Sequence, residues 1–204
     1  MSPRRTNAER TEATRAQLTR TARELFSERG YSSTTIAEIA ERCGLTTGAL
    51  YHHWAGKEAL LVDIVHDIHL ELAVRIRAVG VENEPVAQLL LSGREFIAFC
   101  ADPAVARLLL LDAPAVLGYE RWRRIDEQWW LSTTIRLVER ARATATGTGL
   151  GGDGTEAGPE SSRQLALALL GALTYLGHEV ATKGGPAVAG AGWTYEVLLN
   201  SLFR

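Results

Sequence analysis

Residues Ser33 to Leu61 read STTIAEIAERCGLTTGALYHHWAGKEALL, and the rest of the chain is arranged around this stretch. Ile36, Ile39 and Ala40 recur at helical spacing, and Thr35 with Glu38 three residues later makes a capping-box pattern at the helix start. Gly44 is the natural stop, because glycine accepts the left-handed conformation that ends helices. A second helix begins at once, capped by Thr46 or Thr47 and carrying Leu50, Tyr51 and Trp54. A third starts near Gly56 or Lys57. Two short helices about a turn apart, the second opening on small polar and aromatic residues, form a helix-turn-helix pattern.

In TTIAEIA, the turn CGLTTG, then ALYHHW and GKEALL, the stretch resembles the DNA-binding domain of TetR-type (tetracycline-repressor-like) transcriptional regulators. The family pattern usually has Phe where this chain has Trp54, a conservative departure. The resemblance covers residues 10–61 by motif. Beyond that it rests on helix count and length. It implies an all-α homodimer with an N-terminal three-helix DNA reader (residues 1–56) and a C-terminal ligand-binding and dimerisation domain (residues 57–204). It also implies phosphate contacts from Thr35, Tyr51 and Lys57, and base or groove contacts from Thr46, Thr47, Gly48 and His52.

The physics of the motif is compatible with that assignment. The first turn of the second helix meets base edges, and flanking helix ends hold phosphates through free N–H groups. Gly48 permits close backbone approach, while Leu50 and Trp54 read as core. No Arg, Asn or Gln lies between Thr46 and His53, so the strongest bidentate base readers are absent. Specificity would rest on hydroxyl, apolar and histidine contacts and on DNA shape. At the N-terminus, Arg4 and Arg5 stand in a polar tail suited to a minor-groove arm.

The chain has 204 residues, 46% of them hydrophobic, and a formal net charge of −2. Residues 1–60 hold nine Lys/Arg against seven Asp/Glu, so the positive end coincides with the reader. Bulk charge is too small to bind nucleic acid unaided, so placement must do it. No signal peptide and no apolar run of about 18 residues is evident, which suggests a cytoplasmic protein. Cys43 and Cys100 lie outside any CxxC pattern and read as reduced thiols.

Around the motif, the pattern predicts a first helix over about Arg10–Arg29 and a linker helix from about Lys57 to Val79 striped by Leu60, Leu61, Ile64, Val65, Ile68 and Leu72. GVENEP (80–85) breaks it, and a helix to Cys100 follows. Asp102–Pro103 restarts the next, Pro114 and Gly118 break again, and a long helix runs from Tyr119 to about Ala143. The Gly- and Thr-rich segment 143–162 reads as a flexible loop. Two last helices, 162–183 and 186–203, bring the total to about nine. The first of these is apolar almost all round, so it is expected to need a second chain as cover. Leu169, Leu173, Leu176, Leu198 and Leu202 are expected between the two copies.

Enzyme and cofactor motifs fail on inspection. Gly147 to Gly152 matches GxGxxG by letter but follows no strand, and His178–Glu179 lacks the second histidine of HExxH. His66 and His69, at i and i+3, could share a metal, but no further ligand completes the set. No cofactor or metal is expected. The rival readings are an all-helical, metal-dependent enzyme, and an architectural DNA-binding protein with no effector. In the C-terminal half, Trp129, Thr133, Tyr175 and His178 are the candidates for lining an effector pocket between helices. Effector, operator and the direction of regulation are not written in the sequence.

Overall fold

The computed structural model describes residues 6–80, 84–146 and 159–203. Among these, all regular structure is helical. The elements are α1 (Asn7–Arg29), α2 (Ile36–Arg42), α3 (Thr47–His53), α4 (Lys57–Ala78), α5 (Pro85–Phe99), α6 (Pro103–Ala106), a π-helical segment (Arg107–Asp112), α7 (Ala113–Leu117), α8 (Tyr119–Thr146), α9 (Pro159–Lys183) and α10 (Pro186–Phe203). The π segment joins α6 to α7 without a break, so the described residues form nine helical rods.

Most boundaries follow the local chemistry read from the sequence. The α1 helix starts three residues before Arg10, because Thr6 and Glu9 make a second capping box. Thr35 caps α2, Thr46 rather than Thr47 caps α3, and Asp102 accepts the Ala104 N–H to cap α6. Gly44 takes φ +68° as the turn requires. Other expectations need correction. Trp54 lies one residue past α3 in extended backbone. Pro114 does not break the chain: it follows the π segment, and the Leu109 carbonyl five residues back accepts the Trp122 indole N–H in place of a backbone donor; Gly118 ends that rod. Residues 143–146 are the last turn of α8 and 159–162 the first of α9, so neither belongs to a loop. The remainder of the expected flexible segment, including the GxGxxG letters, lies outside the described residues, as do Arg4 and Arg5.

The core is organised on α4. Leu60, Leu61, Ile64, Val65 and Ile68 are fully buried and Leu72 nearly so. They pack with Leu18, Ala22, Leu25 and Phe26 of α1 at one end and with the C-terminal helices at the other. Arg15 and Arg23 of α1 form ion pairs with Asp63 and Glu71 of α4. On the opposite side, α8 runs alongside α4, held by two hydrogen bonds of one kind. The Trp129 indole N–H donates to His66 Nδ1 and the Trp130 indole N–H to His69 Nδ1, each at 2.9 Å. These bonds fix both imidazoles with the acceptor at Nδ1, so the pair expected as possible metal ligands is engaged within the protein. No cluster of three or more metal-ligating side chains exists among the described residues.

Close approach sets the C-terminal bundle. The ring of Tyr195 on α10 lies against Gly93 of α5, and a Cβ at Gly93 would sit 2.8 Å from its Cζ and nearer still to its edge. Cys100 is buried and its thiol is pushed up to about 12, so it is inert. From Glu160 to Lys183, α9 has the length and composition of a membrane span, contrary to the expectation that no such apolar run exists. Its polar residues Thr174, Tyr175 and His178 interrupt the run without adding charge.

Two consequences are measurable. Gly93→Ala should destabilise the protein by about 1–3 kcal/mol through overpacking against Tyr195, read as a lower denaturant midpoint with unchanged slope. His69 is 1% exposed and burial pushes its imidazole down to about 3 from 6.5. The unfolded chain therefore binds a proton that the folded chain refuses between those values, so stability is full above about pH 6.5 and falls as pH drops. Between pH 6.5 and 5 the native protein should lose about 2 kcal/mol more than His69→Gln, at about 1.4 kcal/mol per pH unit.

Candidate nucleic-acid interface and its coupled cavity

The α3 helix divides its side chains cleanly. Leu50 on it and Trp54 just beyond are buried, whereas Thr46, Thr47, Gly48, Tyr51 and His52 are all exposed, Tyr51 to 56%. The Thr46 hydroxyl accepts the Ala49 N–H at 3.2 Å, fixing the first turn. Burial, then the neighbouring His52 and Arg15, lowers the His53 imidazole below its ordinary value.

Trp54 anchors this helix to α4. Its indole N–H donates to Asp63 Oδ2 at 2.7 Å, and the Arg15 guanidinium lies 5.5 Å over its ring. A phenylalanine at this position has no donor for Asp63, so the departure from the family pattern adds a polar tie. The sequence signal was Asp63 nine residues on, which no local rule connects to Trp54.

Thr35 and Lys57 also have structural roles. The Thr35 hydroxyl accepts the Glu38 N–H, while the Thr35 backbone N–H and then its hydroxyl donate to Glu38 Oε2 and hold that carboxyl below its ordinary range. Lys57 Nζ donates to the carbonyls of Tyr31 and Thr34 at 2.8 Å each and sits 4.2 Å from the Tyr31 ring centroid. One ammonium proton is left over from those two bonds. At the start of α4, Gly56 supplies no side-chain cap, so the first-turn N–H groups point outward uncapped. The loop that Lys57 clasps is held from behind by the π segment. Asp112 accepts the Tyr31 N–H at 3.3 Å and pairs with Arg107 at 3.5 Å, and the Arg107 guanidinium covers Gly30. Arg107 and Asp112, polar residues in an apolar run, thus satisfy each other and the reader.

Within the C-terminal bundle, a cavity of about 470 Å³ opens between α4, α5, α8, α9 and α10. Trp129 and Thr133 line it, as expected. Tyr175 and His178 do not: Tyr175 projects from the far face of α9, 69% exposed, and His178 lies a turn beyond Thr174, which does line the cavity. Sequence reasoning missed Asp126, Phe96 and Tyr195, which come from helices whose faces only packing reveals. Asp126 makes no hydrogen bond or ion pair among the described residues. Burial, then the adjacent Glu127, pushes its carboxyl up to about 6. A larger open trench of about 1040 Å³ lies between α1 and α4, but its arginines and carboxylates pair across it as a solvated seam.

This arrangement matches known proteins over its whole length. A family model for bacterial regulatory proteins of the tetR family matches residues 18–64. A second, for the tetracyclin repressor-like C-terminal domain, matches residues 86–200. The HTH-type transcriptional regulator TtgR of Pseudomonas putida is 45% identical over 72 residues, 34% of each chain. UidR of Escherichia coli, also an HTH-type transcriptional regulator, is 42% identical over 52 residues, 26% of each. The chain thus matches only about a third or less of the length of these curated relatives. A crystal structure of a TetR-family transcriptional regulator from Pectobacterium atrosepticum aligns with a TM-score of 0.68 at 28% identity, covering 98% of this chain and 96% of that one. The family is one of transcriptional regulators and not of enzymes. With a solvent-facing helix-turn-helix at one end, a C-terminal bundle at the other and family matches over both, the chain belongs to the tetracycline-repressor-like (TetR) family of DNA-binding transcriptional regulators.

Proposed function

We propose that this chain is a homodimeric repressor that leaves a palindromic operator when a small, largely apolar effector enters the C-terminal cavity. The observation that carries this reading is the pair of indole–imidazole hydrogen bonds. Trp129 and Trp130 line the cavity, and their donors are fixed to His66 and His69 on α4, which carries the reader. A ligand that shifts either indole pulls on α4 directly. For useful induction it must favour the DNA-incompetent arrangement by roughly 3–5 kcal/mol. An effector-less architectural protein has no use for such a cavity. The division is drawn between Gly56 and Lys57, the protein is placed in the cytoplasm, and no cofactor is invoked.

In this reading the exposed row Thr46, Thr47, Gly48 and His52 meets the major groove, and Tyr51, Thr35 and the α4 N-terminus with Lys57 hold phosphates. The second protomer covers α9 and α10. Only 22% of the apolar window of α9 is buried within one chain. Tyr175 on α9 and Trp193 and Val197 on α10 stand exposed beside the small residues Gly171 and Gly190. The leucines expected there divide differently. Leu169 belongs to the protomer core, Leu173 lines the cavity, and Leu176 and Leu198 are partly buried against that core, which leaves Leu202 exposed toward a partner.

Selection of bound duplexes from random DNA is the decisive experiment: a palindromic consensus is expected, and failure to enrich any sequence would sink the proposal. With that operator, Tyr51→Ala should weaken binding by about 1–3 kcal/mol and Tyr51→Phe by about 1 kcal/mol, measured at matched salt. In sedimentation, Trp193→Glu should convert a dimer to folded monomer, because a charge would enter the apolar interface. A native protein that sediments as a monomer would refute the dimer.

A further inference from the structure

The polar groups around the cavity are nearly all satisfied from within. Thr134 and Thr174 donate to carbonyls one turn back, and Thr133 accepts from Arg136. Both cavity indoles have given their N–H to histidines, so what they offer a ligand is their rings. The Tyr195 hydroxyl and the Asp126 carboxyl have no hydrogen-bond partner among the described residues, and Asp126 is the sole carboxylate among those lining the cavity. It stands on α8 at i−3 and i−4 to Trp129 and Trp130, so the carboxyl and the two rings share one face. Burial, then the adjacent Glu127, pushes its carboxyl up to about 6, and no cationic side chain pairs with it among the described residues. Arg77 and Arg140 also line the cavity; Arg77 is exposed, and Arg140 lies about 21 Å further along α8 than Asp126 at 1.5 Å per residue.

We infer that the cavity selects a ligand with a cationic centre on an aromatic or apolar body, the cation held between Asp126 and the faces of Trp129 and Trp130. This rests on the proposal that the cavity is the effector site and adds what that site recognises. A carboxylate and two π faces on one side of a helix attract the same charge for two reasons, ion pairing and the ring quadrupole. A ligand cation supplies the countercharge that Asp126 lacks. A neutral ligand leaves the partly buried carboxylate without a countercharge, and an anionic one adds repulsion. Asp126 is thus the specificity-determining residue, while the apolar walls supply affinity without discrimination.

The test uses three biphenyl probes of one shape: (4-biphenylylmethyl)trimethylammonium, its neutral neopentyl carbon analogue, and the corresponding methylsulfonate. Binding to the full-length protein is measured by tryptophan quenching and calorimetry. The ammonium should bind at least tenfold tighter than the carbon analogue. Asp126→Asn should erase that preference, weakening the ammonium without weakening the carbon analogue, and Asp126→Glu should restore it. Equal affinity of ammonium and carbon analogue, an Asn variant that weakens both alike, a sulfonate that binds best, or no binding of any probe would each overturn the inference. Release from the selected operator is followed in parallel. If the ammonium binds through Asp126 and the operator stays bound, the sensor reading fails and the site stands. If the carbon analogue releases operator as well as the ammonium does, the sensor stands and the cationic specificity falls.

Discussion

Everything in this molecule depends on one helix belonging to two cores. Along α4, Leu60, Leu61, Ile64, Val65, Ile68 and Leu72 leave no accessible apolar surface to speak of, and they are shared between the α1–α3 unit and the C-terminal bundle. Close-packed interiors transmit displacement rather than absorb it. A helix locked at both ends is built to move as a rod, which is what the proposed coupling of bundle to reader requires. The indole–imidazole bonds from Trp129 and Trp130 are the directional part of that lock. Burial alone would allow α8 to slide along α4. Two hydrogen bonds at adjacent positions of α8 and a helical turn of α4 do not.

The charge distribution acquires meaning in the same frame. The N-terminal excess of arginine looked like a surface for nucleic acid, yet Arg15 and Arg23 face inward across the seam to Asp63 and Glu71. Their ion pairs bind α1 to α4, and the Arg15 guanidinium also covers Trp54. Lys57 behaves alike, its ammonium gripping the carbonyls of the α1–α2 loop. The exposed face of α3 is correspondingly neutral, built of hydroxyls, glycine, imidazole and one phenol. In the proposed function such a face would read DNA by fit and hydrogen bonding, with modest electrostatic attraction.

Polar residues in the C-terminal helices follow a second economy. Threonines at 134, 174, 182 and 194 return their hydroxyl protons to carbonyls four residues back, the default for a hydroxyl within a helix. Scattered hydroxyls in an apolar helix are therefore weak markers of a ligand site. The informative groups are the buried Nε2 of His69, which has no partner among the described residues, and the carboxyl of Asp126, which lines the cavity unpaired. They lie on α4 and α8, the helices joined by the indole–imidazole bonds.

The sequence by itself determined the helices, their caps and the reader. Capping boxes at Thr35–Glu38, the Asp102–Pro103 restart and the glycine stops act over three or four residues, so they are legible in one dimension. The residues of the exposed face of α3 are those that the family resemblance implies as contacts. What lay beyond it was every contact between distant positions: Trp54 to Asp63, Lys57 to the Tyr31 and Thr34 carbonyls, Asp112 to Tyr31, Trp129 and Trp130 to the two histidines. Periodicity tells that a helix has an apolar face, but an all-apolar helix such as α9 has no face to read. Only packing decided that Leu169 joins the core, Leu173 and Thr174 meet the cavity, and Tyr175 turns outward. Asp126 was invisible for the same reason. A carboxylate amid Arg123, Arg124 and Glu127 reads as surface, and the turn of α8 against α4 and α5 is what brings it inside.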